Sequence, residues 1–173
     1  MTVDQPPHWL WRERPAAEGP SVCVDLDGVL ADGRHREPLL AHGRWDDFFA
    51  ACGQDVLIGS NALLVALLDP ALTVVLLTSR PLTVQQPTVE WVSRHHVRWD
   101  LLVMRPSRAQ QSSAAFKSGE VDRLRAAGYP PMWAIDDDPR NIDAYRRSGV
   151  SATYIHSGIY DRQPGNTKAT PGV

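Results

Sequence analysis

Lysine is almost missing from this chain: of 18 basic residues, 16 are arginines and only Lys117 and Lys168 are lysines. Genomic base composition accounts for most of that bias, so the position of a basic residue says more than the count. Arginine remains the better bidentate ligand for phosphate. Cysteine is equally scarce, and Cys23 and Cys52 argue against a disulfide framework. Cys23 lies inside an apolar run and reads as a small core residue. No Cys/His spacing suggests zinc, there is no internal repeat, and no GxxxxGK[ST] run is present to cradle a nucleotide phosphate. No apolar stretch approaches the length that spans a bilayer, and the polar start from Thr2 to Pro7 does not read as a signal peptide. These absences lead to the expectation of a cytoplasmic protein with no membrane partner. A net charge of −2 and a pI near 6.3 give no global electrostatic case for nucleic acid.

The chain does have an ordinary apolar content of 43% over 173 residues, enough for one domain with a substantial core. Its most informative feature is Val22-Cys23-Val24-Asp25-Leu26-Asp27-Gly28-Val29-Leu30. Two carboxylates sit two positions apart at the end of an apolar run, just before a glycine. Strand side chains repeat with period two, so Asp25 and Asp27 can point the same way. Like charges held that close repel unless a cation lies between them or one keeps its proton, so the pair implies Mg²⁺, a shared proton, or both.

Residues 1–20 are rich in Pro and charge and read as a flexible lead-in that Trp9 and Trp11 pin at most in part. Beyond them, apolar β-type runs alternate with helical patterns. Strands are expected over Ser21–Asp25, Thr73–Leu77, Leu101–Met104, Met132–Ile135 and Thr153–Ile155. Helices are expected over Ala62–Leu68 (capped by Ser60 or Asn61), Thr88–His95, Ala114–Ala127 (closed by Gly128) and from Pro139 to Gly149 behind an Asp138 cap. Such alternation predicts an α/β fold, a three-layer Rossmann-like arrangement around a central parallel sheet. In such sheets ligands sit beyond the carboxyl ends of the strands. Asp25, Thr78, the region of Arg105, and Asp136 all follow expected strands and should meet at one edge. Asp138 has a capping role, which leaves Asp136 and Asp137 as metal-ligand candidates.

Taken in order, Asp25-Leu26-Asp27-Gly28-Val29-Leu30, Leu77-Thr78-Ser79-Arg80, Lys117 and Asp136-Asp137-Asp138 resemble the four motifs of the haloacid dehalogenase superfamily. From Leu76 to Tyr160 the chain resembles the phosphatase half of polynucleotide kinase-phosphatases. The pieces that carry this are Leu102-Val103-Met104-Arg105-Pro106, the 19-residue step from Lys117 to Asp136, and Ser157-Gly158-Ile159-Tyr160. With no P-loop, the kinase half is absent. The resemblance implies a phosphatase in which Asp25 is the nucleophile that forms an aspartyl-phosphate, and Asp27 the general acid and then base. It also implies Mg²⁺ held by Asp25, the Asp27 carbonyl and Asp136 with Asp137 close by, and phosphoryl oxygens held by Thr78 and Lys117.

The expected domain runs from 21 to 160, followed by a flexible tail over 161–173. The 45 residues from Gly28 to Leu72 leave room for only a small insertion at about 33–59, and the gap from Thr78 to Lys117 holds no lid. An open site suits a phosphate on the end of a bulky substrate, such as a nucleic-acid 3′ end, at least as well as a nucleotide or other small molecule. Substrate contacts are expected from Ser79, Arg80, Arg105 and Arg108, with Arg140 at the same mouth. Trp45, Phe48 and Phe49 offer rings for stacking a base, although their helical spacing favours packing in the core. The readings are therefore a Mg²⁺-dependent polynucleotide 3′-phosphatase, a small-molecule phosphatase such as a 5′-nucleotidase, and a phosphate-binding module without turnover.

Overall fold

A computed structural model describes residues 5–15, 17–106 and 111–161. In chain order its strands and helices are β1 (Trp9–Trp11), β2 (Ser21–Val24), β3 (Ala31–Asp32), α1 (Glu37–Ala41), α2 (Trp45–Ala50), β4 (Val56–Leu57), α3 (Gly59–Ala66), β5 (Thr73–Pro81), α4 (Gln85–Arg94), β6 (Leu101–Arg105), α5 (Ser113–Ala126), β7 (Pro131–Asp136), α6 (Pro139–Arg147) and β8 (Ser151–Tyr154). Six strands make one sheet in the order β1-β6-β5-β2-β7-β8, parallel throughout except for β1.

The near-continuous apolar runs are explained by burial on both sheet faces. Val22, Val24, Leu76, Leu102 and Ile135 face a cluster with Val65 of α3 and Trp91 and Val92 of α4. Their neighbours Cys23, Val75, Leu77, Leu101, Val103 and Ala134 face Phe116, Val121 and Leu124 of α5 and Tyr145 of α6. Alternate residues of one strand thus feed two cores, which gives the expected three layers. Among the described residues, no helix is long and apolar enough to cross a membrane.

Several elements depart from the expectations: β8 spans Ser151–Tyr154 and α4 Gln85–Arg94, and three further departures are larger. The lead-in contains an edge strand: Trp9–Trp11 pairs antiparallel with Val103, Leu102 and Leu101. It is anchored from below by buried Glu120, which accepts from Trp9 Nε1 (2.7 Å) and lies 2.9 Å from His8 Nε2. Helix α3 begins at Gly59, so Ser60 and Asn61 lie inside it and cap nothing; Asn61 Nδ2 instead donates to the Val29 carbonyl at 2.7 Å. Strand β5 runs on to Pro81 rather than stopping at Leu77. Its pairing with β6 jumps from Thr78–Met104 to Pro81–Arg105, leaving Ser79 and Arg80 in an irregularity that re-aims them.

The segment between β3 and β4 is short. β3 and β4 pair antiparallel and close a loop that carries α1 and α2. Helix α6 starts where the sequence placed it, with Asp138 accepting from Arg140 N and Pro139 in the first turn. Gly128 and Gly149 (φ +85° and +73°) close α5 and α6 in the left-handed region that glycine tolerates.

Candidate active site

β2 and β7 are hydrogen-bonded neighbours, so their carboxyl ends deliver Asp25 and Asp136 side by side. Lys117, from the first turns of α5, reaches between them: its Nζ lies 2.8 Å from Asp25 Oδ2 and 2.6 Å from Asp136 Oδ2. All three are buried. Asp25 Oδ1 accepts from Leu26 N (2.8 Å), and Asp136 Oδ1 accepts from Asp138 N (2.9 Å) and Asn141 Nδ2 (3.0 Å). Burial works against the Lys117 charge, but Asp136 and Asp25 outweigh it, and the ammonium is held more firmly protonated than usual. Asp25 is pushed the other way: burial, opposed by Lys117 and reinforced by Asp136, Asp137 and Asp27, raises its carboxyl well above the usual range.

Asp137 completes an acidic corner. Burial raises its carboxyl to about 7, against a lowering hydrogen bond from Ser157 and with a further push from Asp136. Its Oδ2 is buried without a hydrogen-bond partner. One carboxylate oxygen from each of Asp25, Asp136 and Asp137 lies within 4.8 Å of the others. An orphaned oxygen among closely spaced carboxylates is the donor set that a hard divalent cation satisfies. Gly28 makes this approach feasible. Its φ is +76°, and a Cβ there would lie 1.9 Å from Asp137 Oδ2.

Asp27 sits in a different environment from Asp25. Arg80 grips it through Nη2 (2.7 Å) and Nε (3.1 and 3.2 Å), and Arg36 Nη2 lies 2.5 Å from Asp27 Oδ1. Both arginines are themselves held by Asp55, whose Oδ2 accepts from Arg36 Nη2 at 2.8 Å and Arg80 Nη2 at 2.7 Å. The Asp55 carbonyl accepts from Trp91 Nε1 (2.7 Å), and His35 Nε2 lies 3.0 Å from its Oδ1. Burial opposes ionisation of Asp27, yet Arg80 and Arg36 overcome it and hold the carboxyl down at about 2. Two acids two residues apart therefore titrate in opposite directions, because one faces other acids and the other faces arginines.

Of the residues singled out from sequence, Asp25, Lys117, Asp136 and Asp137 are brought together. Thr78 lies in β5 two residues past Leu76, the partner of Val24; it is buried, and its Oγ1 accepts from Arg80 N at 3.1 Å. Ser79 Oγ lies 2.6 Å from Ser113 Oγ at the start of α5. Arg80 does not ring the mouth: it is fully buried against Asp27 and Asp55, re-aimed by the irregularity in β5. Arg105 bonds the Gln111 carbonyl, and Arg108 lies outside the described residues. Arg140 binds Asp138, its own helix cap, and lies 5.4 Å from the Tyr160 ring centroid. Sequence reasoning missed Arg36, Asp55 and Asn141. Arg36 stands only nine residues after Asp27, but nothing local marks it; Asp55 is an acid in a segment whose folding the sequence does not reveal.

Beside Gly28 an open cleft of about 490 Å³ runs between the insertion and the segment after β8, lined by Asp32, Arg34, Val56, Asn61, His156 and Ser157 among others.

Comparison with known proteins gives the family and the fold. The model of a family described as the polynucleotide kinase PNKP phosphatase domain matches residues 20–160. A structure of the Pnkp1/Rnl/Hen1 RNA repair complex contains a chain with a TM-score of 0.69 and 20% identity over 84% of this chain; the match spans 45% of that longer chain. A haloacid dehalogenase-like hydrolase from Streptococcus pneumoniae has a TM-score of 0.58 at 12% identity, covering 78% of this chain and 83% of its own. A class C acid phosphatase from Bacillus anthracis, solved with tungstate bound, has a TM-score of 0.55 at 13% identity, covering 84% and 69%. At these identities the structural likeness speaks to the fold. A pyridoxine 5′-phosphate synthase from Gloeothece citriformis (strain PCC 7424) is 42% identical over 40 residues, only 23% of this chain and 17% of that protein, which is too little to assign anything.

Proposed function

Because the chain belongs to the family of polynucleotide kinase phosphatase domains, we propose that it is a Mg²⁺-dependent phosphomonoesterase that works through an aspartyl-phosphate on Asp25 and acts on 3′-phosphate ends of nucleic acid. The observation that carries this reading is the convergence of Asp25, Lys117 and Asp136 beside the unpartnered oxygen of Asp137. Asp25, Asp136 and Asp137, with the Asp27 carbonyl, are the residues that would hold the cation. When bound there, Mg²⁺ supplies positive charge that offsets the nucleophile and the phosphate together.

In the first half-reaction a carboxylate oxygen of Asp25 bonds to phosphorus as the bond from phosphorus to the ester oxygen breaks. Lys117 and the Thr78 hydroxyl donate to the phosphoryl oxygens and stabilise the charge that spreads over them. The departing alkoxide needs a proton, for which Asp27 is the acid. Its two arginines hold Asp27 ionised in the resting protein, so it takes up that proton from solvent as the phosphate's negative charge arrives beside it, and passes it to the departing oxygen. In the second half, ionised Asp27 removes a proton from water, which attacks phosphorus and releases inorganic phosphate and free Asp25. The clamped carboxylate is well suited to that step.

A small phosphorylated metabolite is the second reading, favoured by the 490 Å³ cleft at Gly28, a volume typical of small-ligand sites. Phosphate release from a 3′-phosphorylated oligonucleotide, compared with release from mononucleotides, separates the two. Asp25→Asn should stay folded and lose about 10⁴-fold or more in turnover, as loss of a nucleophile does. Excess chelator should stop the wild-type reaction. Normal turnover in the variant refutes the nucleophile assignment, and undiminished rates in chelator refute the role of the cation.

A further inference from the structure

Three large rings on the insertion take no part in the machinery above, and their placement is unusual. Helical spacing leads one to expect Trp45, Phe48 and Phe49 in the core, yet Trp45 of α2 is 56% exposed, and Phe48 and Phe49 are half-buried. Phe49 packs against the core, and the rings also pack on one another: Phe48 meets Phe49 edge-on at 5.2 Å between centroids, and Trp45 lies 6.3 and 6.4 Å from the two. The cluster is tied to the catalytic centre at its inner end. The Arg36 guanidinium carbon stands 4.1 Å from the Phe48 centroid, its Nη1 donates to the Phe48 carbonyl, and its Nη2 reaches Asp27. A continuous path therefore runs from the carboxyl that serves the leaving alcohol, through Arg36 and Phe48, to an exposed indole.

Direction matters here. In the polynucleotide reading the leaving oxygen departs on the Asp27 side, the side that Arg36 and Phe48 connect to these rings. The cations along the path are already matched: Arg36 is engaged by Asp27 and Asp55, and Arg44 by Asp47. What the outer end offers is therefore a flat apolar face rather than an open cation, which suits a base more than a backbone phosphate.

We propose that Trp45, backed by Phe48 and Phe49, is a stacking platform for a nucleobase near the end of the strand whose 3′-phosphate is attacked by Asp25. This rests on the polynucleotide reading above and deepens it. The insertion then holds the substrate strand rather than covering the site. Stacking on an indole is tolerant of sequence, because every base presents a π face, so the platform selects strand ends over small esters without selecting a sequence.

The test uses the full chain and a 3′-phosphorylated oligonucleotide, with an otherwise identical strand that is abasic at its last two positions. On the intact strand, Trp45→Ala should raise KM about tenfold with little change in kcat, and Trp45→Phe should restore most of the loss. On the abasic strand the wild type should already show the higher KM, and Trp45→Ala should add little. Equal losses on both strands, or none on either, overturn the platform. If the wild type frees no phosphate from strand ends yet hydrolyses other monoesters, the substrate class proposed above is what fails. Tryptophan emission of the Asp25→Asn protein, titrated with the same strand, then decides the platform separately. Quenching that Trp45→Phe removes sustains it, and emission that does not change overturns it.

Discussion

Asp55 shows how one side chain can govern others without approaching the reaction. It is fully buried and holds two arginines that would otherwise repel each other and drift from Asp27. Removing a carboxylate from such a cluster leaves buried positive charge short of a partner, at a cost of about 3–5 kcal/mol. Asp55→Ala should therefore lower the melting temperature and reduce phosphatase turnover about 10–100-fold, the usual range when a group that orients a reacting residue is lost. Arg36→Lys would separate charge from geometry, since lysine keeps the charge and loses the fork that spans Asp27 and Asp55. If Asp55→Ala keeps wild-type kinetics at a temperature where it is folded, Asp55 is only a structural residue. By contrast, Cys23 lies behind Asp25 with its thiol pushed up to about 12, chiefly by burial, and behaves as the apolar filler that the sequence indicated.

At the scale of elements, the site depends on where strands end and how loops turn. The turn after β2 can bring Asp27 round only because Gly28 adopts φ +76° and leaves room for Asp137. Gly28→Ala forces a side chain both into a left-handed conformation and against a carboxylate oxygen. Its expected outcome is weaker Mg²⁺ binding and lower turnover together with a loss of about 1–3 kcal/mol in stability, read by calorimetric metal titration and denaturant unfolding. Unchanged metal affinity would mean that the Asp137 oxygen takes no part in holding the cation. At the far edge of the sheet, β1 depends on Glu120. Glu120→Ala strands the Trp9 indole N–H and should cost about 1–3 kcal/mol. Amide exchange should then speed up in residues 9–11 while Asp25 chemistry is retained.

For the whole molecule, the dominant electrostatic fact is an acidic corner that is uncomfortable when empty of cation. Asp25 and Asp137 are raised above their ordinary values, Asp137 to about 7, whereas in the unfolded chain both lose their protons near pH 4. Between these limits the folded protein binds more protons than the unfolded chain, so stability falls as pH rises from about 4 to 7. Asp27 has the opposite sign: its stabilising contribution is present above about pH 4 and is lost as pH drops toward 2. In chelator the protein should therefore melt higher at pH 5 than at pH 8. Mg²⁺ should raise the melting temperature most at pH 8 and release protons when it binds at lower pH. A metal-independent melting temperature at pH 8 would contradict the acidic corner as a cation site.

Much of this was legible in the order of residues, and for identifiable reasons. Asp25, Lys117 and Asp136 could be placed because strand tips of a parallel sheet share one edge, and apolar runs with helix caps mark where those tips fall. The Asp138-Pro139 start of α6 and the glycines that end α5 and α6 follow from backbone rules that act over a few residues. Other features depend on which distant segments meet. The burial of Arg80 arises from a register shift between β5 and β6, and the clamp on Asp27 needs an insertion that returns Arg36 and Asp55 to the sheet. The exposure of Trp45 reverses what helical spacing alone implies, because α2 turns Phe49 to the core and leaves Trp45 outside it. The sequence by itself determined the layers and the acids at one edge of the sheet, since these follow from periodicity and local conformation. Only the tertiary structure decided that Asp25 and Asp27 are pushed in opposite directions and which arginines and rings surround them, because those depend on burial and on contacts between residues far apart in the chain.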